Sequence, residues 1–142
     1  MSFKSSSIGI FDSGVGGLTV LRQLKAILPQ QHCVYLADLA RYPYGTKSSV
    51  VVEQYARECA GFLVERGVSL IIVGCNTASS VAARQLKQEC DCPVIDVIEP
   101  TARKAVEVSK TKKIGIIATP GTIASRAYSD QITALNLSLI HI

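Results

Sequence analysis

One cysteine stands where its thiol can take part in acid–base or nucleophilic chemistry. Cys75 follows the apolar run 71–73 and Gly74, and it precedes a segment that we expect to open a helix near Thr77. Unsatisfied N–H groups and the positive end of the helix dipole both favour a thiolate at such a position. The alternative is a buried thiol that acts as a small hydrophobic residue. The other cysteines lack this placement and are expected to be structural: Cys33, Cys59, Cys90 and Cys92.

The histidines bear on which chemistry Cys75 performs. A cysteine nucleophile for acyl transfer ordinarily needs a histidine that orients and deprotonates it. Histidine occurs only at His32, at the entrance of a predicted strand, and at His141, near the end of the chain. Because neither is well placed, the sequence favours acid–base chemistry at Cys75.

Polar and glycine-rich segments follow each predicted strand. They span residues 12–17, 38–48, 74–80, 99–101 and 119–122. Ligands of open α/β sheets bind outside the carboxyl ends of the strands, so we expect these side chains to converge at one edge of the sheet. Taken singly, each segment also has a structural explanation as a tight turn, a helix cap or a rigid loop.

Alternating strands and helices position these segments. Short, continuous apolar runs at 8–11, 33–37, 70–73, 94–98 and 114–118 predict strands that are buried on both faces. Apolar spacing predicts helices at 18–28, 48–66, 78–89, 101–109 and 122–135. The second helix is predicted to end before Gly67 and to present one face made of Val51, Tyr55, Cys59 and Phe62. This alternation predicts a three-layer α/β fold, in which a mainly parallel sheet carries helices on both faces.

Two phosphate-binding motifs are incomplete in this sequence. Gly14 and Gly16 begin a dinucleotide fingerprint, but Thr19 stands where the third glycine is required. Asp38, at the end of the second strand, lies where a ribose-binding carboxylate is expected, which keeps a nucleotide-binding module as an alternative. Residues 45–48, Gly-Thr-Lys-Ser, are similar to the end of a P-loop, but the glycine does not directly precede the lysine.

Composition restricts the classes of partner. Of the 142 residues, 48% are hydrophobic and 18% are charged, with a formal net charge of +4, which is typical of one globular domain. No segment interleaves aromatic residues with a basic stripe, so no nucleic-acid partner is predicted. No apolar run approaches the roughly 18 residues needed to span a bilayer, so no membrane partner is predicted.

The five cysteines indicate a cellular compartment. An odd number of cysteines without a secretory signal favours free thiols in a reducing environment, and we therefore expect a cytoplasmic protein. Cys90 with Cys92, and His32 with Cys33, are the local candidates for metal ligands, but neither pair has a second pair at matching spacing. No metal site is predicted.

Four motifs resemble those of the glutamate racemases, in the aspartate/glutamate racemase superfamily. They are IFDSGVGGLTV at 10–20, PYG at 43–45, GCNTAS at 74–79 and TPGTI at 119–123. The resemblance implies an isomerase that interconverts L- and D-glutamate without a cofactor. It also implies a role in supplying D-glutamate for peptidoglycan synthesis, cell-wall biogenesis and cell shape, and a homodimeric complete enzyme.

The same resemblance implies roles for individual residues. Racemisation removes the Cα proton on one face of the substrate and returns a proton on the other, and the family uses two cysteines for this. Cys75 matches the first thiol, and Asp12 matches a residue that assists its proton chemistry. The matches to substrate-binding positions are Asp12, Ser13, Pro43, Tyr44, Gly45, Asn76, Thr77, Thr119 and Thr122.

The family's second thiol belongs to a Cys-Thr-His motif in a second domain, and no such motif follows Thr122. We therefore expect residues 1–135 to form the N-terminal domain of a two-domain racemase. Residues 136–142 are expected to be a ragged tail that begins a further strand, in a chain truncated before the second domain. Such a chain is expected to be inactive alone as a racemase. The alternative is a carboxylate-binding or nucleotide-binding α/β module without catalysis.

Overall fold

The computed structural model describes residues 6–111, 113–135 and 138–141. Its strands are β1 (Ser7–Asp12), β2 (Cys33–Ala37), β3 (Val68–Val73), β4 (Val94–Asp96), β5 (Lys113–Ile116) and β6 (Ser138–His141). Its α-helices are α1 (Leu18–Ile27), α2 (Ser49–Glu65), α3 (Asn76–Glu89), α4 (Ile98–Val108), α5 (Pro120–Ala124) and α6 (Ala127–Ala134). Two short 3₁₀ helices, Leu39–Arg41 and Tyr44–Thr46, lie between β2 and α2. Within these described ranges, no helix is both long enough and apolar enough to cross a membrane.

The main sheet is parallel and has the strand order β2-β1-β3-β4. From β1 the chain crosses to β2 on one side, and it then returns past β1 to β3 on the other side. Because crossovers between parallel strands are right-handed, this reversal places α1 on the opposite face of the sheet from α2 and α3. The predicted α/β fold, a parallel sheet with helices on both faces, is confirmed. The reversal also opens a crevice at the carboxyl ends of β1 and β3, where ligands of such sheets bind.

The last two strands form a separate sheet. In the described part of the chain, β5 pairs in parallel with β6 and not with the four-stranded sheet. The prediction that the segments after all five strands share one sheet edge is therefore wrong for the segment after β5. The prediction of a further strand is confirmed for Ser138–His141, whereas residues 136, 137 and 142 of the predicted tail lie outside the described residues.

Burial of the strands follows their place in the sheets. β1 and β3 are central, and Ile10, Phe11 and Ile71 are fully buried. The five residues of β2, an edge strand, are only half-buried, and β5 alternates between exposed and half-buried residues. The prediction of strands buried on both faces is wrong for β2, β4 and β5, because each of them, in the part of the chain that the structure describes, has a hydrogen-bonded neighbour on one side only, and Ile95 of β4 is exposed.

The buried face of α2 differs from the predicted one. Its buried residues are Val52, Ala56, Cys59, Ala60 and Leu63, which pack toward α3 and the sheet. Of the predicted face only Cys59 is buried, while Phe62 is exposed. Small side chains let the helix approach the sheet closely, so the stripe that contains the alanines faces inward. The predicted stop is confirmed, since α2 ends at Glu65 and Gly67 has a φ of 73°.

Two helix boundaries also correct the sequence analysis. Asp96 ends β4, and its Oδ1 accepts a hydrogen bond of 2.8 Å from the N–H of Ile98. This bond satisfies a free N–H of the first turn of α4, which begins at Ile98, so residues 99–101 lie inside a helix and not in a loop at the sheet edge. The single helix predicted over 122–135 is broken into α5 and α6, because Arg126 adopts a left-handed φ of 59°.

Candidate active site

Cys75 lies at the exact junction between β3 and α3, as the N-terminal cap of the helix. Its Sγ accepts a hydrogen bond of 3.5 Å from the backbone N–H of Ala78. The helix begins at Asn76, one residue earlier than the expected opening near Thr77. The thiol therefore faces the free N–H groups of the first helical turn, an environment that favours an anion.

A serine from the neighbouring strand reaches the same thiol. The Oγ of Ser13 lies 3.4 Å from the Sγ of Cys75. This contact exists because β1 and β3 are adjacent and parallel, so the residues that follow them emerge side by side. Both side chains are buried, with exposed fractions of 9% for Ser13 and 6% for Cys75. The hydroxyl is thus available to donate a hydrogen bond to a thiolate.

Asp12 organises the turn that carries Ser13. Its Oδ1 accepts from the N–H of Ser13 at 2.8 Å, and its Oδ2 accepts from the N–H of Gly17 at 2.8 Å. Both carboxylate oxygens are therefore bonded to the backbone of the β1–α1 turn, while the residue also lines the cleft beside Cys75. Its negative charge adds to burial, the main cause, in raising the pKa of Tyr35, whose hydroxyl donates to the carbonyl of Gly14 at 3.4 Å.

An open cleft of about 520 Å³ surrounds these groups. Four predicted site residues line it beside Cys75, and the turn 14–16, Leu39 and Tyr42 complete its wall. The four are Asp12, Ser13, Asn76 and Thr77. Leu39 and Tyr42 are 60% and 63% exposed and form an apolar rim. The cleft thus combines a thiol, hydroxyls, an amide and helix N–H groups, a set suited to binding a small carboxylate.

Hydroxyl groups connect this cleft to α5. The Oγ1 atoms of Thr77 and Thr119 lie 3.1 Å apart, and those of Thr119 and Thr122 lie 3.0 Å apart. Thr119 also caps α5, since its Oγ1 accepts from the N–H of Thr122 at 3.4 Å. Thr119 and Thr122 follow a strand of the second sheet and line a neighbouring groove, not the cleft itself, but the Thr119 hydroxyl contacts Thr77 at the wall of the cleft.

The segment with Tyr44 and Gly45 adjoins the site because the backbone of Gly45 packs against the side chain of Thr119. An added Cβ at Gly45 would lie 2.6 Å from the Cγ2 of Thr119, closer than atoms of this kind can approach. Pro43, whose peptide bond with Tyr42 is cis, is exposed. The side chain of Tyr44 is buried and points away from the cleft, because its hydroxyl donates to Asp38. The polar group of Tyr44 therefore does not face the site.

An ionic network that is buried at Asp38 and exposed at Glu58 holds Tyr44. Asp38 Oδ2 accepts from the Tyr44 hydroxyl and from Arg41 Nε, the latter at 2.6 Å. Arg41 also pairs with Glu58, and its guanidinium lies 4.2 Å from the ring centre of Tyr55. Burial, followed by the hydrogen bond to Asp38, raises the pKa of Tyr44. Asp38, considered above as a ribose-binding carboxylate, is thus used inside the protein.

The other cysteines are not in the cleft. Cys59 is buried beside Tyr44, and burial raises the pKa of its thiol. Burial likewise raises the pKa of Cys90 and of Cys92, which pack half-buried against the core.

The sequence did not predict the contribution of Tyr128, whose hydroxyl donates to Asn76 Oδ1 at 2.6 Å. No motif pointed to it, because the contact depends on how α6 packs.

Known proteins are similar to this chain in sequence and in fold. Residues 16–140 match the model of the family described as Asp/Glu/Hydantoin racemase. A glutamate racemase of Geobacter metallireducens is 51% identical over 130 residues, which cover 92% of this chain and 48% of that protein. One from Aquifex aeolicus is 50% identical over 88% of this chain and 49% of that protein. The chain spans about half the length of the curated relatives it matches.

Solved structures agree with these sequence matches. The glutamate racemase of Aquifex pyrophilus matches with a TM-score of 0.92 and 47% identity, over 95% of this chain and 54% of that one. The glutamate racemase of Francisella tularensis, solved in complex with D-glutamate, matches with a TM-score of 0.86 and 41% identity, over 96% and 52%. Since the family model covers most of the sequence, the chain belongs to the Asp/Glu/Hydantoin racemase family.

Proposed function

We propose that this chain carries one half of the acid–base machinery of a glutamate racemase, with Cys75 as its catalytic thiol. The observation that carries the proposal is the placement of Cys75 at the N-terminus of α3, 3.4 Å from the Ser13 hydroxyl and open to a cleft. A thiolate in this position can remove a proton from the Cα atom of a bound amino acid. The relatives with about 50% identity are glutamate racemases, which favours glutamate as the substrate.

The proposed reaction transfers two protons, one away from Cα and one back to it, and no other atom. The Cys75 thiolate takes the Cα proton of one glutamate enantiomer, and the electron pair of the C–H bond passes into the adjacent carboxylate as an enolate. A second thiol on the opposite face then donates a proton to Cα and inverts its configuration. This scheme needs two cysteines and no cofactor. Because Cys75 is the one cysteine that lines the cleft within the described ranges, the 142 residues are proposed to lack racemisation by themselves.

Different polar groups of the site are proposed to bind different parts of the substrate. Ser13, Asn76 and Thr77 lie beside the thiol and are proposed to bind the α-amino and α-carboxylate groups. Thr119 and Thr122, connected to Thr77 through their hydroxyls, are proposed to extend the same pocket. Pro43, Tyr44 and Gly45 are proposed to border it through their backbone, since the Tyr44 hydroxyl bonds to Asp38. The F. tularensis racemase, solved with D-glutamate, has a similar fold and is 41% identical to this chain over the matched residues, which favours glutamate as the ligand of this pocket.

Asp12 is proposed to assist the proton chemistry of Cys75. Its carboxylate accepts hydrogen bonds from the N–H groups of Ser13 and Gly17, and it thereby fixes the hydroxyl that contacts the thiol.

The complete protein is proposed to be a homodimer, on the strength of the resemblance to glutamate racemases. It is proposed to supply D-glutamate for peptidoglycan, and hence for the cell wall and cell shape. A cytoplasmic location is proposed, since five free cysteines suit a reducing compartment.

Ligand-dependent melting tests this proposal against the nucleotide-binding alternative. A ligand that binds only the folded chain raises its melting temperature, so D- or L-glutamate should raise it, whereas NAD and ATP should not. Thr122→Val removes a site hydroxyl at nearly constant volume and should reduce the effect of glutamate. Thr133→Val, at an exposed position of α6, is the matched control and should not. Stabilisation by a nucleotide and not by glutamate would overturn the proposal.

A further inference from the structure

A tyrosine outside the predicted site contacts it directly. Tyr128, in α6, donates its hydroxyl hydrogen to Asn76 Oδ1 at 2.6 Å, across 52 positions of sequence. Asn76 is the first residue of α3 and follows Cys75. Its exposed side chain lines both the cleft and a neighbouring apolar groove of about 380 Å³, which we call the α4–α6 groove. The α4–α6 groove is lined by Thr101, Ala102, Ala105, Ile116, Tyr128 and Ile132, among others.

The hydrogen bond determines which part of the Asn76 amide is left for the cleft. A side-chain amide has one acceptor oxygen and one NH₂ group with two donors. Because Tyr128 uses the oxygen from the side of the α4–α6 groove, the NH₂ group remains for the cleft beside Cys75. A donor is what a substrate carboxylate requires, whereas an amide oxygen would repel it.

We propose that Tyr128 is a positioning residue that fixes the Asn76 amide, so that its NH₂ group donates to a carboxylate bound beside Cys75. This inference rests on the proposed function for the identity of the ligand. The contact that carries it, between Tyr128 and Asn76, is independent of that function and can be measured without any ligand.

The surroundings of Tyr128 suit a hydrogen-bond donor. Burial raises the pKa of its phenol and the charge of Asp96 adds to this rise, while the neighbouring Thr101 side chain opposes it. The phenol therefore keeps its proton near neutral pH. The left-handed turn at Arg126 separates α6 from α5 and redirects the chain immediately before Tyr128. A single hydrogen bond that fixes an exposed amide reduces the rotational freedom lost when a ligand binds.

Selective isotope labelling tests the contact in the ligand-free chain. Asparagine occurs only at positions 76 and 136, so a chain labelled with ¹³C,¹⁵N-asparagine gives two side-chain signals, which an Asn136→Asp variant assigns. Tyr128→Phe removes the hydroxyl and keeps the ring, and the Asn76 ¹³Cγ signal should move upfield as its oxygen loses a hydrogen bond. Tyr55→Phe, which removes a tyrosine hydroxyl on α2, is the control and should leave this signal in place.

Glutamate titration of the same samples tests positioning. Tyr128→Phe should weaken glutamate binding about three- to tenfold, the range expected for one neutral hydrogen bond, while Tyr55→Phe binds as the wild type does. An unchanged Asn76 signal in Tyr128→Phe would overturn the contact. A shifted signal with unchanged glutamate affinity would overturn the positioning role. Failure of the wild type to bind glutamate would count against the proposed function, and the labelled signal would still report on the contact.

Discussion

The Ser13 hydroxyl and the Cys75 thiol lie 3.4 Å apart although 62 positions separate them in the sequence. The contact is a product of the strand order, since β1 and β3 are neighbours while the chain between them forms β2 and two connections. At this point α1 and α3 leave the sheet on opposite faces and open the cleft. Two turns that are unremarkable separately thereby form one site.

Replacing Ser13 by alanine should make Cys75 less reactive. The hydroxyl is positioned to donate to the thiolate, and a hydrogen bond to a charged group is worth about 1.5–3 kcal/mol. We expect iodoacetamide to alkylate Cys75 at least about tenfold more slowly in Ser13→Ala, as measured by mass spectrometry of the peptide that contains Cys75. Ser69→Ala, whose hydroxyl bonds to Ser7 on the exposed side of β3, is the control. An unchanged or faster reaction in Ser13→Ala would show that the hydroxyl does not stabilise the thiolate.

Replacing Asp12 by asparagine should destabilise the fold. Both carboxylate oxygens accept backbone N–H groups at 2.8 Å, and an amide can supply only one oxygen. The variant leaves a buried N–H without an acceptor, at a cost of about 1–3 kcal/mol in the free energy of unfolding. Urea denaturation measures this cost. Asp91→Asn, at an exposed position, should change the same quantity by less than about 0.5 kcal/mol. Equal stabilities of the two variants would contradict the role assigned to Asp12.

Adding a methyl group at Gly45 should impair glutamate binding, and a second substitution should restore it. The new Cβ would lie 2.6 Å from Thr119 Cγ2, so Gly45→Ala should displace Thr119 and its hydroxyl. Thr119→Ser removes that methyl group and keeps the hydroxyl, and the double variant should bind glutamate more tightly than Gly45→Ala alone. Gly61→Ala, where a Cβ meets nothing within 4 Å, should not affect binding. A double variant no better than Gly45→Ala would show that the contact is not the cause.

Stability should fall steeply at alkaline pH, in part because of Tyr44. Burial and the bond to Asp38 raise the pKa of Tyr44 in the folded chain. The unfolded chain therefore releases this proton first, and stability is lost as the pH rises above about 10. Tyr44→Phe should reduce the slope of unfolding free energy against pH by up to about 1.4 kcal/mol per pH unit above pH 10. Urea midpoints at pH 8 to 11 measure the slope, and Tyr42→Phe, at an exposed position, should retain it. A slope in Tyr44→Phe equal to that of the wild type would contradict this account.

Local features of the site could be predicted from the sequence, whereas contacts between distant elements could not. The strand, glycine and helix around Cys75 are encoded within about ten residues, so its place at a helix start followed from pattern alone. The approach of Thr119 to Thr77 required knowledge of how the second sheet packs. The direction of the Tyr44 hydroxyl depends on the partly buried ion pair between Asp38 and Arg41. The contact of Tyr128 with Asn76 depends on the left-handed turn at Arg126. Neither the ion pair nor the turn has a periodic signal in the sequence.

The segment 122–135, predicted as one helix and found as two, is a second example of a feature that apolar spacing does not reveal. The spacing of apolar residues over 122–135 is compatible with one continuous helix, and no glycine or proline occurs in this segment after Gly121. The hydroxyl of Ser125 instead donates to the carbonyl of Thr122 at 2.8 Å and accepts from the N–H of Ala127 at 3.3 Å. Serine side chains compete in this way with the helical backbone, and here they favour the break that redirects α6.

The most direct test of the central claim is exchange of the glutamate Cα proton with solvent. The 142-residue chain is incubated in D₂O with L-glutamate in one sample and D-glutamate in another. In the proton NMR spectra, the Hα signal should disappear for one of the two enantiomers and persist for the other. The configuration should be retained, because one thiol serves one face of Cα. Cys75→Ala should abolish this exchange and Cys33→Ala should preserve it. Exchange that persists in Cys75→Ala, or no exchange of either enantiomer by the wild type, would contradict the assignment of Cys75 as the catalytic acid–base group.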